Sequence, residues 1–176
     1  MMKKFVDPFD YAGAICKATK KGILLTTKAG EKVNTMTIGW GTIGIEWGKP
    51  IFVGYVRESR YTREMLDQNG EFTINVPMGE IDPRILGFCG TKSGRDVDKI
   101  KEMNLTLEDP EVISVPGFRE LPLTLECKVI YRQKQDLNAV PAEMLERFYP
   151  AAGERDDRDK HIAYYGEIVN AYLIEG

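Results

Sequence analysis

Apolar and polar residues alternate most regularly over residues 121–131. Leu121, Leu123, Leu125, Cys127, Val129 and Tyr131 occupy one parity, with Pro122, Thr124, Glu126 and Lys128 between them. Successive side chains of an extended chain point to opposite faces, so this period of two predicts a strand with one buried face. Residues 161–174 behave likewise, with Ile162, Tyr164, Ile168, Tyr172 and Ile174 on one parity. The run Ile51-Phe52-Val53-Gly54-Tyr55-Val56 is apolar on both parities and predicts a central strand covered on both faces. Phe72, Ile74 and Val76 give a further short strand, stopped by Pro77. Residues 22–28 and 33–45 add two more, joined through a hairpin turn at Ala29-Gly30-Glu31-Lys32.

Helical signals are few and short. Residues 59–69 form the best, with Ser59 as cap, Tyr61, Met65 and Leu66 on one face, and Gly70 closing it. Residues 96–103, capped by Asp96, and residues 142–148 give two more. Many strands with isolated helices predict a mainly β fold, a barrel with helical insertions. A doubly wound sheet would need helices between most strands.

Composition narrows the function classes. The 176 residues suit one domain, expected to span 1–176. With 43% hydrophobic and 29% charged residues the chain is neither disordered nor of low complexity. Its 27 acidic residues exceed its 24 basic ones, a net charge of −3, which argues against a nucleic-acid partner. Cys16, Cys89 and Cys127 lie far apart and are odd in number, so neither a disulfide framework nor a metal motif is expected; His161 is the sole histidine. The N-terminal Met1-Met2-Lys3-Lys4-Phe5-Val6-Asp7-Pro8 has positive charge without an apolar segment behind it, and the longest apolar run is six residues. The expectation is a soluble, cytoplasmic protein with no membrane partner.

Three stretches could carry chemistry. Arg57-Glu58-Ser59-Arg60-Tyr61-Thr62-Arg63 follows the central strand and opens the first helix. A helix start offers unpaired N–H groups, Ser59 and Thr62 add hydroxyls, and three arginines add forked donors suited to phosphate. The same residues also read as an ordinary serine cap with solvated arginines paired to Glu58 and Glu64. Gly90-Thr91-Lys92-Ser93-Gly94-Arg95-Asp96 is a glycine-bracketed loop with cationic and hydroxyl donors. It departs from the Walker A pattern because its lysine precedes the second glycine, and it also reads as a solvated loop. Residues 33–42, Val33-Asn34-Thr35-Met36-Thr37-Ile38-Gly39-Trp40-Gly41-Thr42, combine a strand with glycines that admit close approach and with the flat surface of Trp40. That suits a planar polar ring, or equally a twisted barrel strand with Trp40 in the core.

Together these stretches resemble the flavin reductase-like family of FMN-binding split barrels, which includes flavoredoxins. The resemblance rests on Asn34-Thr35-Met36-Thr37-Ile38-Gly39-Trp40, Arg57-Glu58-Ser59-Arg60-Tyr61-Thr62, Gly70-Glu71-Phe72-Thr73-Ile74-Asn75-Val76-Pro77 and Ser93-Gly94-Arg95-Asp96-Val97-Asp98-Lys99, and covers residues 22–174. It implies a six-stranded antiparallel split β-barrel of Greek-key type, a homodimer, and non-covalent FMN near the dimer interface. It places the flavin ring along Asn34, Met36, Thr37, Ile38, Gly39 and Trp40, and the phosphate at Ser59, Arg60, Tyr61 and Thr62, with Ser93, Gly94 and Lys99 completing that side. Tyr164, on the C-terminal strand with His161 and Tyr165, is implied to wall the flavin or nicotinamide. Asn75 is given a structural role, Cys89 a packing role, and His161 that of a hydrogen-bonded strand residue.

The implied activity is an NAD(P)H:flavin oxidoreductase, passing a hydride from NAD(P)H to flavin N5. The flavin carries the chemistry, which accounts for the missing triad and metal motif. No Gly-x-Gly-x-x-Gly unit marks a separate nicotinamide domain, so NAD(P)H would stack on the flavin itself. An alternative is a flavoredoxin-like electron carrier that takes electrons from a redox protein partner. A third reading is a split barrel for another ligand, such as pyridoxal phosphate or haem.

Overall fold

The computed structural model describes residues 2–151 and 158–175. Its centre is an eight-stranded sheet in which every pairing is antiparallel. The strands are β1 (Met2–Phe5), β2 (Ile23–Ala29), β3 (Lys32–Ile38), β4 (Gly41–Glu46), β5 (Lys49–Arg57) and β6 (Glu71–Val76), then β9 (Leu123–Lys134) and β10 (His161–Glu175). The short β7 (Leu107–Glu108) and β8 (Gly117–Phe118) pair apart from them. The spatial order is β3-β2-β6-β9-β10-β5-β4, with β1 also on β10. Consecutive β5 and β6 are thus separated by β9 and β10.

The sheet curls because its two ends share one core. Met36 and Ile38 from one end meet Phe52, Val56 and Ile43 from the other, together with Phe72, Ile74, Leu123, Leu125 and Ile162. Leu123, Leu125 and Ile162 lie on the parities whose alternation predicted an inward face, and removal of the whole cluster from water supplies most of the driving force. β10 bends where its register with β9 shifts at Tyr165/Gly166. There the ring of Phe72 fills the space a Cβ on Gly166 would take, with Cε1 at 2.7 Å. A bulge and a glycine at one point let a long strand turn the barrel corner.

The mainly β fold is as expected, and several elements differ. The sheet has eight strands rather than six. The expected strand 33–45 breaks at Gly39 and Trp40 into β3 and β4. The first expected helix, now α2 (Tyr61–Gln68), starts two residues late, with Arg60 in the cap position and no side-chain cap; Ser59 is not its cap. The expected helix 96–103 shrinks to α4 (Lys99–Glu102), capped by Asp98 and not Asp96. The third expected helix is α5 (Ala142–Phe148).

Strand β1 and helices α1 (Ala12–Lys21) and α3 (Pro83–Thr91) were not anticipated. Helix α1 buries only Ile15 and Thr19, one turn apart, so its apolar stripe is too narrow to read. In helix α3 the glycines Gly87 and Gly90 interrupt the apolar residues and weaken the helical signal, but Asp82 before Pro83 was a legible start signal. No helix among the described residues is long and apolar enough to cross a membrane.

Candidate functional site

Strand β5 ends at Arg57, and α2 begins at Tyr61. The loop after α3 returns to the same place. Between them lies a cleft of about 210 Å³ that reaches Asn34 and Met36 on β3, residues 59–62, Ser93, Gly94 and Lys99. The two donor-rich stretches singled out in the sequence are therefore walls of one cleft.

Packing holds these walls close. Asn34 is buried, and its Nδ2 donates to Thr62 Oγ1 at 3.3 Å. Gly94 sits so tightly on Asn34 that a Cβ would overlap the amide, with Tyr61 Cδ1 at 3.1 Å. Only glycine permits that approach. Lys32 Nζ donates to Gly94 O at 2.8 Å and lies 4.7 Å from the Tyr61 ring centroid. Arg95 is 5.3 Å from the same centroid, pairs with Glu64 and donates to Ser59 O at 3.3 Å. A tyrosine between two cations thus clips loop, strand and helix together.

The cleft is cationic. Arg57, Arg60, Lys92, Arg95 and Lys99 line it against one carboxylate, Asp159. Arg57 donates to Asp159 O at 2.7 Å and Phe148 O at 2.9 Å. Lys99 Nζ is buried and donates to Thr35 O at 2.9 Å and Cys89 O at 2.8 Å. Burial holds its ammonium down at about 8, and nearby Arg60 also lowers it. Among the described residues the side chains of Arg60 and Lys92 make neither hydrogen bonds nor ion pairs. Ser59 is engaged: its N–H donates to Asp159 Oδ1 at 3.1 Å and its hydroxyl to Oδ2 at 2.6 Å.

A second cavity of about 180 Å³ abuts the first and shares Met36, Arg57 and Arg60 with it. Its remaining walls include Thr37, Ile38, Gly39, Trp40, Tyr55 and His161. Trp40 leaves the core, at 38% exposure. Its ring lies 4.8 Å from His161 and 5.1 Å from Phe148. Strand β3 is an end strand of the sheet, so half its backbone groups face away from β2. Thr35 O, which accepts from Lys99, belongs to that outward set, and Thr37 is the next residue of its parity.

His161 bonds to Tyr149 Oη through Nδ1 at 2.9 Å. Tyr149 Oη donates to Gln135 Oε1 at 2.7 Å, and that oxygen also accepts the His161 N–H at 3.2 Å. With the tyrosine proton on Gln135, Nδ1 must carry the imidazole proton. Burial holds the ring down at about 4, and the positive charge of Arg57 adds to this.

Thirteen of the fourteen residues singled out thus line two abutting cavities. The fourteenth, Tyr164, does not join them. It packs in the barrel core at 1% exposure, against Ile162 and Phe72 rather than at the cleft, because its parity on β10 faces inward. Asn75 bonds within the barrel to Thr26, Thr73 and Thr124. Cys89 is buried and its thiol is pushed up to about 11, as suits a packing residue. The cysteines are all free. Sequence reasoning missed Asp159, Tyr149 and Gln135. They reach the site from a loop and a strand end distant in sequence, and no local motif marks them.

Residues 19–176 match the family model described as a flavin reductase like domain. An uncharacterised protein of Archaeoglobus fulgidus is 31% identical over 100 residues, 57% of this chain and 55% of that one. The chain thus spans little more than half the length of that relative. A flavoredoxin from Methanosarcina acetivorans superposes with a TM-score of 0.62 at 26% identity, over 88% of this chain and 68% of that one. The FMN-binding domain of a flavin reductases-like enzyme from Shewanella baltica superposes with a TM-score of 0.62 at 17% identity, over 98% of this chain and 77% of that one. With the family model matched over most of its length, the chain belongs to the flavin reductase-like family.

Proposed function

We propose that the chain binds FMN without a covalent link and acts as an NAD(P)H:flavin oxidoreductase. The observation that carries this reading is the abutment of a cationic cleft and a strand-edged cavity ending at Trp40. A flavin mononucleotide is a phosphate monoester joined to a planar heteroaromatic ring, and it needs those two surroundings in that order.

The residues fit both parts. Arg60 and Lys92 are cations without partners among the described residues, and the uncapped first turn of α2 offers backbone N–H groups. Thr62 and Ser93 add hydroxyls. Lys99 already serves two carbonyls, and its third proton is the one left for the phosphate. Along the ring, the outward N–H and C=O of Thr37 match the alternating donors and acceptors of the flavin's imide edge. Trp40 supplies an aromatic wall. Because His161 stays neutral near pH 7, it adds no positive charge beside the ring.

When bound, FMN supplies the redox chemistry, accepting a hydride equivalent from NAD(P)H and passing electrons on. The chain fixes the ring edge, anchors the phosphate and leaves one side of the cavity open to a second reactant. A homodimer is part of the same reading. Tyr131 lies 5.1 Å from Tyr165 and 5.9 Å from Trp47, on a sheet face where Trp47 is 60% and Ile45 72% exposed. Tyr55 flanks that face and also lines the ring cavity, so a second copy seated there would border the flavin.

Steady-state oxidation of NADH and NADPH by the FMN-loaded chain tests the activity. Turnover of about 1 s⁻¹ or faster with either nucleotide is expected. Retained FMN without turnover would instead favour a flavoredoxin-like electron carrier reduced by a protein partner.

A further inference from the structure

We propose that Asp159 is an internal competitor for the ligand's phosphate and sets how tightly a phosphate-bearing flavin is held. This rests on reading the cleft as the flavin phosphate site. The Asp159 carboxylate bonds the Ser59 N–H at 3.1 Å and the Ser59 hydroxyl at 2.6 Å. Those are two donors a phosphate at the start of α2 would seek. The carboxylate is also the one anion lining a cleft with five cations. A chain carboxylate and a dianionic phosphate cannot share these donors, because their like charges repel at hydrogen-bond range.

Binding of phosphate therefore exchanges one anion for another. Asp159 is exposed, so its carboxylate can turn into water without crossing the core. Its backbone need not move, since Arg57 Nη1 holds Asp159 O at 2.7 Å and the Glu58 N–H holds Lys160 O at 3.0 Å. The exchange forfeits two hydrogen bonds to a charged group, and this lowers the affinity for phosphate-bearing ligands only. A flavin lacking the phosphate leaves Asp159 in place. The consequence is a flavin that exchanges with solution rather than one held permanently.

The test titrates FMN and riboflavin into the wild-type chain, Asp159→Asn and Asp159→Ala at fixed ionic strength, following flavin fluorescence. Circular dichroism confirms that each variant is folded. The expected result is an FMN Kd about tenfold lower in both variants, with the riboflavin Kd changed by less than twofold. An unchanged or raised FMN Kd in folded variants would make Asp159 a mere support for Ser59 and overturn the proposal. Equal tightening of riboflavin would overturn it too, because the effect would not act through phosphate. Failure of wild type and both variants to bind FMN would remove the flavin reading itself, and Asp159's role with it.

Discussion

His161 shows how one residue's surroundings can be read as a measurable property. Its ring is 7% exposed, bonded to Tyr149 and close to the Arg57 charge, so its folded pKa falls to about 4 from an ordinary 6.5. Between those values the unfolded chain holds a proton that the folded chain refuses. Stability is therefore full above pH 6.5 and declines as pH falls toward 4, by an amount on the order of 3 kcal/mol. Carboxylates titrate in the lower part of this window, so the comparison is with His161→Gln. Urea unfolding of both proteins from pH 7 to 4 should show a shallower decline in the variant. Equal slopes would mean that His161 titrates normally.

The residues that the sequence made legible are those whose chemistry is local. Ser59, Arg60, Ser93 and Gly94 announce themselves because donors and glycines cluster at short spacing. Ser59 also shows the limit of that legibility. A serine before a helix reads as a cap, yet its hydroxyl is bound to Asp159, a hundred residues away. Tyr164 was misplaced for a related reason: parity places a side chain on a face, but only the assembled barrel says whether that face meets core or cavity.

At the scale of elements, period two identified the long strands well. The β2–β3 hairpin is paired from Ile23↔Ile38 to Ala29↔Lys32, around the turn the sequence marked. What periodicity could not give was the break at Gly39 and Trp40, which depends on β4 crossing over to pair with β5. That break frees Trp40 to face the cavity. The outer face of β5, β9 and β10 carries an element-scale prediction. Tyr131 lies between Trp47 and Tyr165, so Tyr131→Lys should weaken self-association at least tenfold, as expected for a central aromatic anchor. Light scattering at micromolar concentration should give a dimer mass for the wild type and a lower mass for the variant. A wild-type monomer would contradict the inferred assembly.

At the scale of the whole molecule, the barrel brings three separated stretches to one place. Strand β3 lies at the end of the sheet and so keeps an outward edge. The α2 start and the loop after α3 flank that edge, clipped through Tyr61, Lys32 and Arg95. The sequence could rank each stretch, but not the distances between them, because those follow from non-local pairings such as β6 with β9 and β10 with β5. Closure of the sheet turns three ambiguous motifs into two adjoining cavities with distinct chemistry. The central claim is that these cavities hold a flavin by its phosphate. Fluorescence titration of the purified wild-type chain with FMN and with riboflavin tests it most directly. Saturable binding of one FMN per chain, with riboflavin at least tenfold weaker, is the predicted result; no FMN binding, or equal affinity for the two, would contradict it.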